Sequence, residues 1–149
     1  MKVLQSIVLL IGHLAVIVAI NVTSNLAVFS QSSVNVTTDP DNGQAQSTTI
    51  SLDRANLRQP HILRVQGSGK MERIDIKING KLVKSIANGS LELDLAPMMT
   101  VGSYQVEISG TSPRSDDTIS LTFTGTNTNI TQQSSGSGII KQMLVINVQ

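Results

Sequence analysis

Apolar and polar residues alternate regularly between residues 71 and 110. The apolar positions form three groups with a spacing of two: Ile74, Ile76, Ile78, Leu91, Leu93, Leu95, Tyr104, Val106 and Ile108. The intervening positions are mostly charged: Asp75, Lys77, Glu92, Asp94 and Glu107. Because successive side chains of a strand point to opposite faces, each apolar group lines one face and the charges line the other. The pattern predicts a sheet with one buried and one solvated face.

Turn residues separate these runs from one another. Asn79–Gly80 joins two extended segments, and Asn-Gly favours a two-residue hairpin turn because both residues tolerate positive φ. Asn88–Gly89 repeats this chemistry. The predicted strands are 61–65, 74–78, 81–86, 91–95, 103–109, 119–123 and 139–148, with short edge strands possible at 34–36 or 50–52 and a polar loop at 125–138. About seven or eight short strands with turns between them predict an all-β fold, an antiparallel β-sandwich.

The chain begins with an apolar run. It extends from Ile7 to Ile20 behind Lys2 and is interrupted by Gly12 and His13. This length is typical of the apolar region of a signal peptide and is shorter than the roughly 20 residues that span a bilayer. We therefore expect residues 1–30 to form a hydrophobic helix that serves as a signal peptide.

Cleavage of this segment is expected after Ser30, which makes Gln31 the first residue of the mature chain, with Ser24 as a second choice. Two alternatives remain open. An uncleaved segment would anchor the chain in a membrane, and the apolar run could instead be a core helix or strand of a cytosolic fold.

Residues 31–47 are rich in Ser, Thr, Asn and Gln. A segment with so little apolar surface cannot offset the entropy lost on ordering. We therefore predict a polar linker or arm at 31–47 and a β-sandwich domain at 48–149.

Composition and charge narrow the classes of function. The aromatic residues are Tyr104, Phe29 and Phe123, so the core must consist mainly of aliphatic side chains. The chain has no cysteine, which favours a bacterial exported protein or a reducing compartment. From residue 31 onward ten basic residues balance ten acidic ones. A neutral domain lacks the basic surface that nucleic acids require.

One corner resembles that of a known family. In the segment Leu95–Ile108, Gly102-Ser103-Tyr104 opens a strand after a corner, as at the corner between strands E and F of immunoglobulin-like domains. The resemblance covers roughly residues 50–149 and looks most like the cysteine-free immunoglobulin-like modules of exported bacterial proteins. It implies that Tyr104 hydrogen-bonds back across the corner. Gly102 and Gly80 are the further residues expected to have structural roles.

Residues with catalytic or metal-binding potential are few. His61 stands behind Pro60 at a strand start, with no motif for a nucleophile and its base, so we expect no enzymatic activity. Asp39 and Asp41 resemble the start of a calcium loop, but Ile50 occupies the twelfth position, where an EF-hand loop has glutamate. A turn is the favoured interpretation, and no metal or cofactor is expected.

Charge is unevenly distributed along the chain. Residues 51–84 contain eight basic and three acidic residues, a net charge of +5, whereas residues 85–124 contain one basic and five acidic residues, a net charge of −4. These blocks either neutralise each other across neighbouring strands or form two faces through which copies associate.

The sequence thus favours a non-enzymatic exported protein, located in the bacterial periplasm, at the cell surface or outside the cell. It would act as a structural or interaction element that binds further copies of itself, as an oligomer or filament, or another envelope protein. In one version, residues 31–38 or the terminal strand 139–148 add to a neighbour's sheet edge. The alternative is a ligand-binding module for polysaccharide or calcium.

Overall fold

In a computed structural model, the chain folds into two β-sheets packed face to face. The structure describes residues 3–11, 14–22, 32–39, 43–68, 71–87 and 89–149, with side chains from residue 45 onward. The strands in these ranges are β1 (Val3–Ile11), β2 (Leu14–Val22), β3 (Ser32–Asp39), β4 (Gly43–Leu52), β5 (Ile62–Gly67), β6 (Arg73–Ile78), β7 (Lys81–Ile86), β8 (Ser90–Asp94), β9 (Gly102–Ser112), β10 (Thr118–Gly125), β11 (Thr128–Ser135) and β12 (Gly138–Val148). Short 3₁₀ turns occupy Arg54–Arg58 and Ala96–Met98.

The strand order is β1-β2-β11-β10-β5-β8 in the first sheet and β3-β4-β12-β9-β6-β7 in the second. Neighbouring strands are antiparallel, except that β12 pairs with β4 in parallel. The chain crosses between the sheets several times, so that consecutive strands such as β5 and β6 lie in different sheets. The prediction of an all-β sandwich is confirmed, but the described residues form twelve strands and not seven or eight, and one strand pair is parallel.

Aliphatic residues on the inner faces of both sheets form the core. Five of the nine predicted inward positions are buried: Ile74, Ile76, Leu95, Val106 and Ile108. The other four are partly buried and pack against this core: Ile78, Leu91, Leu93 and Tyr104. Among the described residues, Phe123 in β10 is the largest fully buried side chain. The hairpin between β6 and β7 also has the predicted turn, because Asn79 and Gly80 have φ values of 50° and 79°.

The N-terminal segment differs from its prediction. Residues 3–11 and 14–22 are the strands β1 and β2, which pair with each other, and β2 joins the edge of β11. The predicted helix is therefore wrong for these residues. Val and Ile provide five of the nine residues of β2, and β-branched side chains favour strands over helices.

Among the described residues, no helix has the length and hydropathy of a membrane span. The role of residues 1–30 as a signal peptide or anchor stays a prediction.

Three further segments differ from their predictions. Residues 31–47 contain β3 and part of β4, and the predicted loop at 125–138 contains β11. Polar composition conceals these strands because two of the four buried side chains described in β4, and three of the four in β11, are polar. The terminal strand, β12, lies inside its sheet between β4 and β9, so it has no free edge to offer a neighbour.

Candidate functional site

The corner before β9 is held by Tyr104. The Thr100 backbone N–H donates to Tyr104 Oη at 2.8 Å, and Thr100 Oγ1 lies 3.1 Å from the same oxygen. These hydrogen bonds, first from the side chain and then from the backbone of Thr100, lower the pKa of the phenol. Gly102 lies between Thr100 and Tyr104, and its φ of 146° lets the chain turn into β9. The arrangement fixes a loop and provides no reactive group.

His61 is completely buried immediately before β5. Its Nδ1 donates to the carbonyl oxygen of Gln59 at 2.8 Å, and its backbone N–H donates to Asp94 Oδ1 at 3.0 Å. The other ring nitrogen, Nε2, is buried without a hydrogen-bond partner. A Cβ atom at Gly125 would lie only 2.9 Å from this nitrogen, so the β10 backbone covers it. His61 therefore packs against the core and is closed to a substrate.

The two aspartates of the candidate calcium loop are not brought into a described site. Asp39 ends β3, and Asp41 lies outside the described residues. The proposed cleavage residues Ser30 and Gln31 also lie outside them. Within the described part of the chain, no cluster of three His, Cys, Asp or Glu residues could hold a metal ion.

The two charge blocks meet across neighbouring strands. Arg64 Nη2 in β5 lies 2.5 Å from Glu92 Oε2 in β8. Lys77 Nζ in β6 lies 3.4 Å from Glu107 Oε1 in β9. Each pair joins a residue of the basic block to one of the acidic block, which favours mutual neutralisation over two separate charged faces. Both pairs are solvent-accessible and are therefore worth little to stability.

A shallow depression of about 400 Å³ lies on the outer face of the second sheet. Its lining is mostly charged or small, with one large apolar residue, Ile139: Glu72, Arg73, Asp75, Lys77, Glu107, Ser109, Gly110, Thr111, Ile139 and Lys141. Asp75 is already engaged, because hydrogen bonds from Arg73 and Ser85 lower its pKa to about 2. The lining includes no aromatic ring on which a sugar could stack. The depression therefore lacks the feature that polysaccharide sites commonly use.

The inner faces of β4, β11 and β12 carry a set of polar side chains, called here the polar layer: Gln46, Thr48, Gln132, Ser134 and Gln142. Each is at most 2% exposed. Gln132 Nε2 donates across the sandwich to Thr48 Oγ1, and Ser134 Oγ donates to Gln46 Oε1 at 3.1 Å. Gln142 Nε2 donates to the carbonyl of Ile119 at 3.0 Å and to Ser134 Oγ at 3.2 Å. Hydrogen bonds thus join the two sheets here.

The polar layer is only partly satisfied. Gln46 Nε2, Gln132 Oε1 and Gln142 Oε1 are buried without hydrogen-bond partners in the structure. Burying such groups costs free energy, so this part of the interior is less strongly driven together than the aliphatic part. The layer includes Gln132 of β11, and β11 is the strand whose edge pairs with β2.

Replacing Gln142 by leucine should lower the free energy of unfolding by about 1–2 kcal/mol, because the variant loses two buried hydrogen bonds without losing volume. Chemical denaturation would measure the change. Gln133→Leu, on the exposed outer face of β11, is the matched control and should change stability by no more than about 0.5 kcal/mol. Equal effects of the two substitutions would contradict a stabilising role for the polar layer.

The end strands β7 and β8 differ in charge from β11, which lies next to the β1–β2 pair at the other end of the first sheet. On one side, β7 carries Lys81 and Lys84 and pairs irregularly with β6, and β8 carries Glu92 and Asp94. Charges and bulges of this kind discourage pairing with a further strand. By contrast, β11 (TNITQQSS) has no charge and no proline. Its edge from Asn129 to Gln133 is occupied by β2.

Comparisons with known proteins find no matching family model, curated protein or solved structure. The function must therefore be argued from the chain's own residues. Sequence reasoning singled out Tyr104, His61 and the aspartates but missed the polar layer and β11. The signal that could have revealed β11 was Ile130 within a run of Thr, Asn and Gln that follows a turn, in which Asn127 has a φ of 56°.

Proposed function

We propose that this chain is an exported, non-enzymatic β-sandwich module of the bacterial cell envelope or extracellular space. It serves as a structural or interaction element, and the edge of β11 is its contact surface. The observation that carries the proposal is that β2, the strand covering this uncharged edge, belongs to the segment predicted to be removed on export.

Removal of residues 1–30 would leave β11 as the outermost strand of its sheet. Five residue pairs, from Asn129 with Asn21 to Gln133 with Ile17, would be lost. The backbone N–H and C=O groups that faced β2 would then be open to pairing with another chain. By contrast, β3 is outermost in its sheet with or without this segment, so processing would change the first sheet alone.

The polar layer is compatible with such an edge. Most of the buried side chains of β11 are polar: Thr128, Gln132 and Ser134 accompany Ile130. Uncovering this edge would bring hydroxyl and amide groups closer to water, at lower cost than uncovering an aliphatic core. The processed module could therefore stay soluble before it meets its partner.

An immunoglobulin-like architecture is part of the proposal. Its support is the order β4-β12-β9-β6-β7 with β4 parallel to β12, together with the hydrogen bond from Thr100 to Tyr104 at the corner before β9. The β10–β11 hairpin between β9 and β12 is an addition to that pattern.

Expression of the full coding sequence in a bacterial host tests the proposal. We expect the protein recovered from the periplasm or medium to have an intact mass that begins near Gln31. We also expect it to sediment as an assembly or to copurify with an envelope protein. Thr131→Lys, on the outer face of β11, should weaken that association at least tenfold, since a charge on an edge strand opposes strand addition.

The matched control is Ser120→Lys, which places the same charge on the same face one strand further from the edge. It should leave the association unchanged. A full-length mass in the cytosol, or association that neither substitution alters, would refute the proposed function.

A further inference from the structure

We infer that the occupant of the uncovered β11 edge is β11 of a second copy, paired antiparallel about a two-fold axis at Thr131. The inference rests on the proposed function, because it requires that residues 1–30 no longer cover the edge. It would join the first sheets of two processed molecules into one continuous sheet.

Charge distinguishes β11 from the strands on the opposite side of the sandwich. In a two-fold antiparallel pair each strand faces its own sequence. Self-pairing of β7 would bring Lys81 and Lys84 near their own copies, and self-pairing of β8 would do the same for Glu92 and Asp94. Like charges across a strand pair are destabilising. The uncharged β11 meets no such repulsion.

The alternation along β11 restricts the register. Even-numbered residues such as Ile130 and Gln132 face the core, and odd-numbered residues such as Thr131 face outward. Directly opposed residues in an antiparallel pair project to the same face. The two-fold axis must therefore lie midway between the two copies of one residue, so that inward residues pair with inward residues.

The existing strand pair identifies that residue. The five positions that β2 covers, Asn129 to Gln133, are centred on Thr131. With the axis there, the same five positions pair again: Thr131 with itself, Ile130 with Gln132, and Asn129 with Gln133. Thr131 also lies beside Thr122 of β10, with 3.4 Å between their hydroxyl oxygens. The dimer would thus carry four threonines in a row across its outer face, and cross-strand threonine pairs are favourable.

A cysteine at the axis tests the pairing, because the chain has no cysteine of its own. Thr131→Cys in the full coding sequence, exported and processed by the host, should form a disulfide-linked dimer. Opposed Cα atoms in an antiparallel pair lie about 4.5–5.5 Å apart, within the range that a disulfide spans. Most of the processed protein should migrate as a dimer on non-reducing gels.

Ser120→Cys is the matched control. Position 120 lies on the same face one strand from the edge, so two copies would be separated by three strand spacings, roughly 14 Å, beyond the reach of a disulfide. The unprocessed Thr131→Cys protein should also fail to crosslink because β2 covers the edge. Equal crosslinking of all three samples would overturn the inference.

A further variant distinguishes self-pairing from capture of the N-terminal arm. If residues 31–38 of a second copy filled the edge, Thr131→Cys alone would stay monomeric, and combining it with Asn35→Cys would produce crosslinked chains. That result would overturn the two-fold pairing. Binding of a different envelope protein, sensitive to Thr131→Lys but without disulfide dimers, would also overturn it while leaving the proposed function in place. A cytosolic, unprocessed protein would instead refute the proposed function itself.

Discussion

Replacing Phe123 by alanine should lower the free energy of unfolding by about 3–5 kcal/mol. Phe123 is fully buried in β10, opposite Leu63 in β5 and Ile130 in β11. Its ring centroid lies 5.9 Å from that of His61. Truncation would remove contacts with both neighbouring strands and with the imidazole, and would leave a cavity that the surrounding backbone can close only in part.

The effect should be large because Phe123 is the only phenylalanine or tyrosine ring that is fully buried among the described residues. Of the other two aromatic residues, Tyr104 lies at the corner before β9 and Phe29 lies outside the described residues. Domains are commonly stable by about 5–15 kcal/mol, so the loss would be a substantial fraction of the total.

Equilibrium unfolding in urea would measure the change in Phe123→Ala. Thr124→Ala, at the exposed neighbouring position, is the control and should change stability by no more than about 0.5 kcal/mol. A loss below about 1 kcal/mol for Phe123→Ala would mean that the core is packed less tightly than the structure shows.

The part of the fold that sequence reasoning predicted is the part whose inward positions are aliphatic. The alternation of Ile74 with Ile76 and of Val106 with Ile108 marked β6 and β9, and the structure buries all four residues. The Asn79–Gly80 turn was predictable for a separate reason, since few residues tolerate positive φ at two successive positions.

Sequence reasoning missed strands whose inward positions are polar. Gln46 and Thr48 in β4 face Gln132 and Ser134 in β11, so each strand provides the hydrogen-bond partners that the other needs. Hydrophobic periodicity cannot reveal such strands, because the hydrogen-bond partner of each buried polar side chain lies more than 80 residues away in the sequence. The candidate interaction edge was missed for the same reason.

The secondary structure of residues 3–11 and 14–22 was predicted wrongly for a different reason. A short, continuous apolar run is compatible with a helix, a buried strand or a signal peptide, and periodicity does not separate them. In the structure residues 3–11 and 14–22 are strands that extend the first sheet. The predicted signal peptide and the observed strands are compatible if β1 and β2 occupy the β11 edge before export and are then removed, as proposed above.

Replacing Gly125 by alanine should lower the free energy of unfolding by about 2–3 kcal/mol, and the loss should depend on His61. A Cβ atom at this position would lie 2.4 Å from His61 Cδ2 and 2.9 Å from Nε2. The ring has little room to withdraw, since it is fully buried and its Nδ1 is held by the carbonyl of Gln59. The strand or the ring must therefore shift.

A double-mutant cycle with His61→Ala measures this dependence. His61→Ala alone should also destabilise the protein, because it removes a buried ring that packs against Phe123. In the double variant the new methyl group would occupy space that the imidazole has left. The combined loss should therefore be smaller than the sum of the two single losses by at least about 1 kcal/mol, as urea unfolding would show. Additive losses would mean that Gly125 is required by the β10 backbone itself, whereas a strong coupling would establish His61 as the residue that keeps position 125 free of a side chain.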